Sequence, residues 1–120
     1  MADESILTGI KKDLGIEEEY NYFDHDIIDL INANLNALTQ IGVGPENGFI
    51  ITGTTETWSD FLGDKIDKLQ MVKTYLYIRV RIIFDPPQTS FVLDALKEQA
   101  KELEWRISVE VDPKDETEGD

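Results

Sequence analysis

Residues 65–84 form a run rich in apolar residues, with no clear polar side, that stops at Asp85-Pro86-Pro87. No other feature of the chain limits its fold as strongly. Read as a helix, the run places Leu69, Val72, Leu76, Val80 and Ile83 on one face, with Met71, Ile78 and Ile82 nearly opposite. Such a helix is apolar almost all round and belongs at the centre of a domain. Read as a strand, Val72, Thr74, Leu76, Ile78, Val80 and Ile82 alternate with Lys73, Tyr75, Tyr77, Arg79 and Arg81. Those residue types suit a sheet. Length favours the helix, because a strand usually runs about 5–6 residues. Asp64 is placed to cap the helix start. The prolines end it, since a residue before proline avoids helical backbone.

The rest of the chain must cover this segment. Residues 4–14 read as a short helix with Ile6, Leu7, Ile10 and Leu14 at helical spacing and Gly15 as its stop, although Gly9 inside weakens it. Residues 23–41 give the clearest amphipathic pattern. Phe23, Ile27, Leu30, Ile31, Leu35, Leu38 and Ile41 share one face, while His25, Asp29, Asn32, Asn36 and Gln40 share the other. Asn34 lies amid the apolar face, as either a buried specificity group or an edge residue. Gly42-Val43-Gly44-Pro45 closes the segment. Residues 43–57 read as a long loop or small hairpin, with turn signals at Asn47-Gly48 and Thr52-Gly53. Thr57 is placed to cap one helical turn, Trp58 to Leu62. Residues 89–107 carry a stripe of Leu93, Leu96, Ala100, Leu103 and Ile107 behind a cap at Thr89 or Ser90. Alternation from Trp105 to Val111 lets that end fray into extended chain. The expectation is a mainly α fold of about five helices in one domain over 1–111. An acidic tail over 112–120 is expected to be disordered. No internal repeat is present.

Composition narrows the function. Acids outnumber bases 25 to 11 and the formal charge is −14, which opposes tight binding to nucleic acid or to anionic membranes. The absence of cysteine excludes disulfides, thiolate metal sites and a Cys nucleophile, and its natural reading is a cytosolic origin. A single His excludes a multi-His metal site within one chain. The opening MADES lacks the basic and apolar regions of a signal peptide, and no apolar run reaches the ~20 residues of a membrane span.

Candidate sites are few. Asp24-His25-Asp26 is the obvious metal or acid–base candidate, yet neighbours on a helix point about 100° apart and do not converge. His25 and Asp29 read as a solvated surface pair. The glycines at 42 and 44 follow a helix, whereas a dinucleotide loop follows a strand. Bases concentrate at Lys65, Lys68, Lys73, Arg79 and Arg81, with Asp67 alone among them. They either pair with acids elsewhere in the chain or form a docking patch for an acidic neighbour. Phe91 and Trp105 sit opposite the leucine stripe of the last helix, among Asp94, Glu98 and Lys101, and suggest a second contact surface.

Taken in order, these segments resemble a known family. They are the helix closing in Leu-Thr-Gln-Ile-Gly-Val-Gly-Pro, then Thr-Trp-Ser-Asp-Phe-Leu-Gly-Asp, then Val72 to Arg81 with Phe84-Asp85-Pro86-Pro87, and finally Glu102-Leu103-Glu104-Trp105-Arg106. The pattern, across roughly residues 5–107, resembles the small head–tail connector (head-completion or adaptor) proteins of tailed bacteriophages. The resemblance implies a mainly helical fold and takes 65–84 as a helix. It implies a structural virion protein, assembled in the host cytoplasm, with no enzymatic activity, cofactor or metal. Its partners would be copies of itself in a ring, the portal protein, and the next connector or tail-completion protein, with DNA passing through without specific binding. The resemblance assigns no residues. Lys65, Lys68, Arg79, Arg81, Phe91 and Trp105 are the interface residues inferred from the chain itself. Its acids, including those on 23–41, are expected to tend toward the lumen, where they repel a sliding polyanion.

Two rivals fit parts of the same sequence. An acidic DNA mimic that occupies a basic DNA-binding protein explains the charge. A small metal-dependent enzyme would use Asp24, His25, Asp26 and Asp29, and it ranks last.

Overall fold

In the computed structural model, residues 3–110 are described. In chain order they form α1 (Ile6–Asp13), α2 (Asp24–Gln40), the single turn α3 (Trp58–Leu62), a 3-10 stretch over Gly63–Lys68, α4 (Leu69–Phe84) and α5 (Ser90–Glu110). The mainly helical expectation holds. The described residues contain four helices of two turns or more, not five, because the segment at Trp58 is one turn only.

The apolar run is helical because it is enclosed. Val72, Tyr75, Leu76, Ile78 and Val80 of α4 are all buried, and α1, α2 and α5 each pack on it. Burial on several sides explains why the segment lacks a polar face. Asp64 does not cap this helix: residues 63–68 take the tighter 3-10 form, and Lys68 precedes Leu69 with no side-chain cap. At the far end the Arg81 Nε donates to the Asp85 carbonyl at 3.3 Å.

α1 is capped by Ser5, whose hydroxyl accepts from the Thr8 amide at 3.1 Å. Gly9 has a structural reason. A Cβ there would lie 2.7 Å from Glu4 Oε1 and 3.3 Å from Trp58 Nε1, so glycine lets both side chains lie across the helix. α2 buries Ile27, Ile31, Asn34, Leu35 and Leu38. It meets the end of α4 through Phe23 and Phe84, edge to face with centroids 5.2 Å apart.

Residues 43–57 are an extended loop without a hairpin, and no strand occurs among the described residues. Asn47-Gly48 does turn, with Gly48 at φ +95 and its amide on the Pro45 carbonyl at 3.0 Å. The returning chain then pairs with a side chain. Asn32 of α2 accepts from the Ile51 amide at 2.8 Å and donates to the Ile51 carbonyl at 3.0 Å. This amide does the work of a neighbouring strand and holds Ile51 in the core. Among the described residues one isolated backbone bridge joins Ser5 to Thr57. Thr57 caps α3 as expected, in a reciprocal pair with Asp60 at 3.0 and 3.1 Å.

α5 lies along α4 and buries only Ala100 and Ile107 fully, with Leu96 and Leu103 half-buried beside them. Thr89 caps it, accepting from the Val92 amide at 3.3 Å. The expected fraying after Trp105 is not seen, since the helix continues through Glu110. The acidic tail at 112–120 lies outside the described residues.

Candidate interaction surfaces

The basic residues do not form one patch. Arg79 and Arg81 stand two positions apart and so project from nearly opposite sides of α4, about 200° round the helix. Arg79 is exposed and donates from Nε to Asn34 Oδ1 at 3.1 Å. Asn34 in turn donates to the Leu30 carbonyl at 2.9 Å. The polar residue in the apolar face of α2 is therefore a buried anchor for an arginine. Arg81 donates to the Tyr77 hydroxyl at 3.0 Å and closes the end of its own helix. Lys68 pairs with Asp67 at 3.3 Å. Lys65 sits half-buried in the 3-10 stretch beside a cavity of about 200 Å3 lined by Gly44, Pro45 and Phe61. Lys73 is drawn inward to Glu4 at 3.0 Å.

Phe91 and Trp105 are both open, at 82% and 66% exposure. Fourteen positions separate them, which puts them within about 40° of each other on α5 and about 21 Å apart along its axis. Val109 extends the Trp105 end, where Met71, Glu102, Trp105, Arg106 and Val109 line a groove of about 290 Å3. Glu98 and Glu102 occupy the middle of this face, paired along the helix with Lys101 at 3.8 Å and Arg106 at 2.8 Å. Nothing among the described residues covers it.

The Asp24-His25-Asp26 segment separates as helical geometry requires. Asp24 turns inward to Lys11, at 2.8 Å. His25 pairs with Asp29 at 3.5 Å on open surface. Among the described residues no group of three or more acids or histidines is placed to hold a metal ion, and no helix is long and apolar enough to cross a membrane.

The sequence matches the family model described as phage connector protein, over residues 6–114. The chain belongs to that family. No curated protein and no solved structure matches it significantly. A phage connector is a structural component of the virion, and the connector role is what this chain shares with its family.

Two residues that matter to this connector's fold escaped the sequence reading. Lys11 is 2% exposed and donates to the Glu18 carbonyl at 3.0 Å as well as pairing with Asp24. It straps the connection between α1 and α2 to both helices. Its signal was present: Lys11 stands four residues after Leu7, inside the apolar stripe. Glu4 is the other. Burial alone would raise its carboxyl, but the Lys73 ammonium, and then Lys12, hold it below the ordinary glutamate value of 4.5.

A depressed folded-state value means that the folded connector binds this proton less readily than the unfolded chain. The stabilisation is complete above pH 4.5 and is lost as pH falls through the lower folded value. Glu56 adds in the same direction. Burial would raise it, and hydrogen bonds from the Thr52 hydroxyl and amide outweigh that and lower it. Chemical denaturation at pH 7, 4.5 and 3.5 checks this. The expected result is a fall in stability confined to the acid arm and smaller in Lys73→Met. An equal fall in the variant would remove the pair as its source.

Proposed function

We propose that this connector assembles as a homo-oligomeric ring below the portal after DNA is packaged. The ring extends the DNA channel and presents a surface to the next connector or tail-completion protein. The unit of assembly is the helical domain over residues 1–111, formed in the host cytoplasm. Its role is structural, with no catalytic step. The observation that carries the reading is the outer face of α5, where two large aromatic side chains stand open at 82% and 66% exposure. Buried aromatic anchors dominate protein interfaces, so a helix with such anchors facing water is built for a covered state. Because Phe91 and Trp105 point the same way, they meet one neighbour. A ring needs a different surface on that neighbour, since a head-to-tail contact joins unlike faces. Arg79, exposed on α4 and held by Asn34, supplies positive charge that suits Glu98 and Glu102. The excess of acids then lines the channel and repels DNA that must slide.

Light scattering after size exclusion, over a concentration series with and without portal rings, tests this reading. Closed rings in negative-stain images are expected. Phe91→Ser/Trp105→Ser should remain monomeric with an unchanged melting temperature, and Arg79→Glu should weaken assembly at least tenfold. A wild-type chain that stays monomeric in both settings would overturn the proposal. Unfolding of Arg79→Glu would return that arginine to a purely structural role.

A further inference from the structure

A second exposed apolar surface lies where α2 begins and α4 ends, away from the outer face of α5. Tyr20, Tyr22 and Phe23 form a ladder of tilted and edge-on rings, with centroids 6.4, 6.0 and 4.9 Å apart. Phe84 continues it at 5.2 Å from Phe23. Phe84 also lines an open groove of about 360 Å3 with Asp26, Asp29, Leu30 and Ile83. Tyr22 is 76% exposed and Ile83 66%, so the most apolar part of this surface is also among the most open. Carboxylates dominate its rim, although Arg79, one turn before Ile83 on α4, lies at one end and is held to Asn34. Asp26 and Asp29 edge the groove, Glu17, Glu18 and Glu19 precede the tyrosines, and the nearby Lys11 is buried against Asp24.

An acidic face alone suits a channel wall. Exposed aromatic rings among the acids do not, because they add sticky surface that a sliding polymer does not need. Rings beside carboxylates favour one kind of guest. A Lys or Arg side chain lays its apolar stem on the rings, meets their negative faces, and places its charge near the carboxylates. The adjoining groove, floored by Leu30 and Ile83, takes an aliphatic side chain. A second copy is the wrong guest. Its own open aromatics, Phe91 and Trp105, stand beside Glu98 and Glu102, which carry the same sign as this rim. Anionic lipid is excluded by the same sign argument.

We infer that the surface formed by Tyr20, Tyr22, Ile83, Asp26 and Asp29 docks a basic segment with an aliphatic anchor, carried by a different protein. The contact is separate from the ring contact on α5 and does not depend on it.

The probe is a fluorescein-labelled twelve-residue peptide of alternating Arg and Leu, with a Glu-Leu peptide of the same length as control. Binding to the full chain is followed by anisotropy and mapped by amide chemical shifts. The Arg-Leu peptide should bind, shift resonances around Tyr20, Tyr22 and Ile83, and weaken as salt rises. Tyr22→Ala/Ile83→Ser should raise its Kd at least tenfold, and Asp26→Asn/Asp29→Asn at least threefold. Glu98→Gln/Glu102→Gln on α5 should leave it within twofold. All these positions are exposed, and a melting curve checks that each variant folds. Equal losses in the α5 variant would reduce the binding to net charge and overturn the inference. Absence of binding, equal binding of the Glu-Leu peptide, or selective capture of anionic vesicles by this surface would overturn it as well. Ring assembly is scored in parallel with Tyr22→Ala/Ile83→Ser. Loss of rings there would make the surface a self-contact and refute a foreign guest, while failure of wild-type rings would count against the ring proposal alone.

Discussion

Replacing Gly44 with alanine is expected to destabilise the fold by about 2–5 kcal/mol. Two costs combine. Gly44 holds φ +86, a left-handed conformation that costs an L-residue with a side chain about 1–2 kcal/mol. A Cβ there would also run into the Phe61 ring, which is 1% exposed and packs against Phe49. Forcing such a shift in a packed core costs about 1–3 kcal/mol. Gly48 is the control. It holds φ +95 with nothing within 4 Å of the added carbon, so Gly48→Ala should show the backbone cost alone. Urea denaturation of both variants measures the difference. Equal losses would show that the Phe61 contact is unimportant.

Lys11→Ala is expected to cost about 2–3 kcal/mol. Removing one member of a buried ion pair commonly costs about 3–5 kcal/mol because the other charge is stranded. Here Asp24 keeps 27% of its side-chain exposure, and water recovers part of that. The Glu18 carbonyl loses its donor as well, and the connection between α1 and α2 loses its strap. Lys11→Met keeps the apolar stem and should fall between the wild type and alanine. Adding Asp24→Asn to Lys11→Met should restore part of the loss, because the stranded charge is gone. A Lys11→Ala variant within about 0.5 kcal/mol of wild type, the scatter of ordinary surface changes, would contradict the buried strap.

These positions show where sequence reading succeeds and where it stops. α2 was legible almost to its ends because its periodicity reflects one buried face. α4 was ambiguous for the opposite reason: a helix packed by three others loses the polar face that betrays helical period. The hairpin expected at 43–57 rested on a true turn at Gly48, but periodicity cannot show that the partner of Ile51 is the amide of Asn32, a residue assigned to a solvent face. The basic cluster was close in sequence and dispersed in space, because two-residue steps on a helix point apart. The exposure of Phe91 and Trp105 was legible because large aromatics on a polar face stand out against any packing scheme. Lys11 and Glu4 were missed because a charged side chain reads as surface unless its partner is known, and each partner belongs to another part of the chain.

The ion pair between Glu4 and Lys73 spans 69 positions, and that separation has a consequence for synthesis on the ribosome. At about 5–20 residues per second, roughly 3–14 s pass between the emergence of the two partners. For most of that interval, until Thr57 and Trp58 emerge, Ile6, Leu7 and Ile10 have neither α4 nor Trp58 to cover them, and the Ser5–Thr57 bridge cannot close. The first helix made is thus among the last secured. Nascent chains emerging side by side from one message are most able to entangle through this segment, and a host chaperone would meet it first.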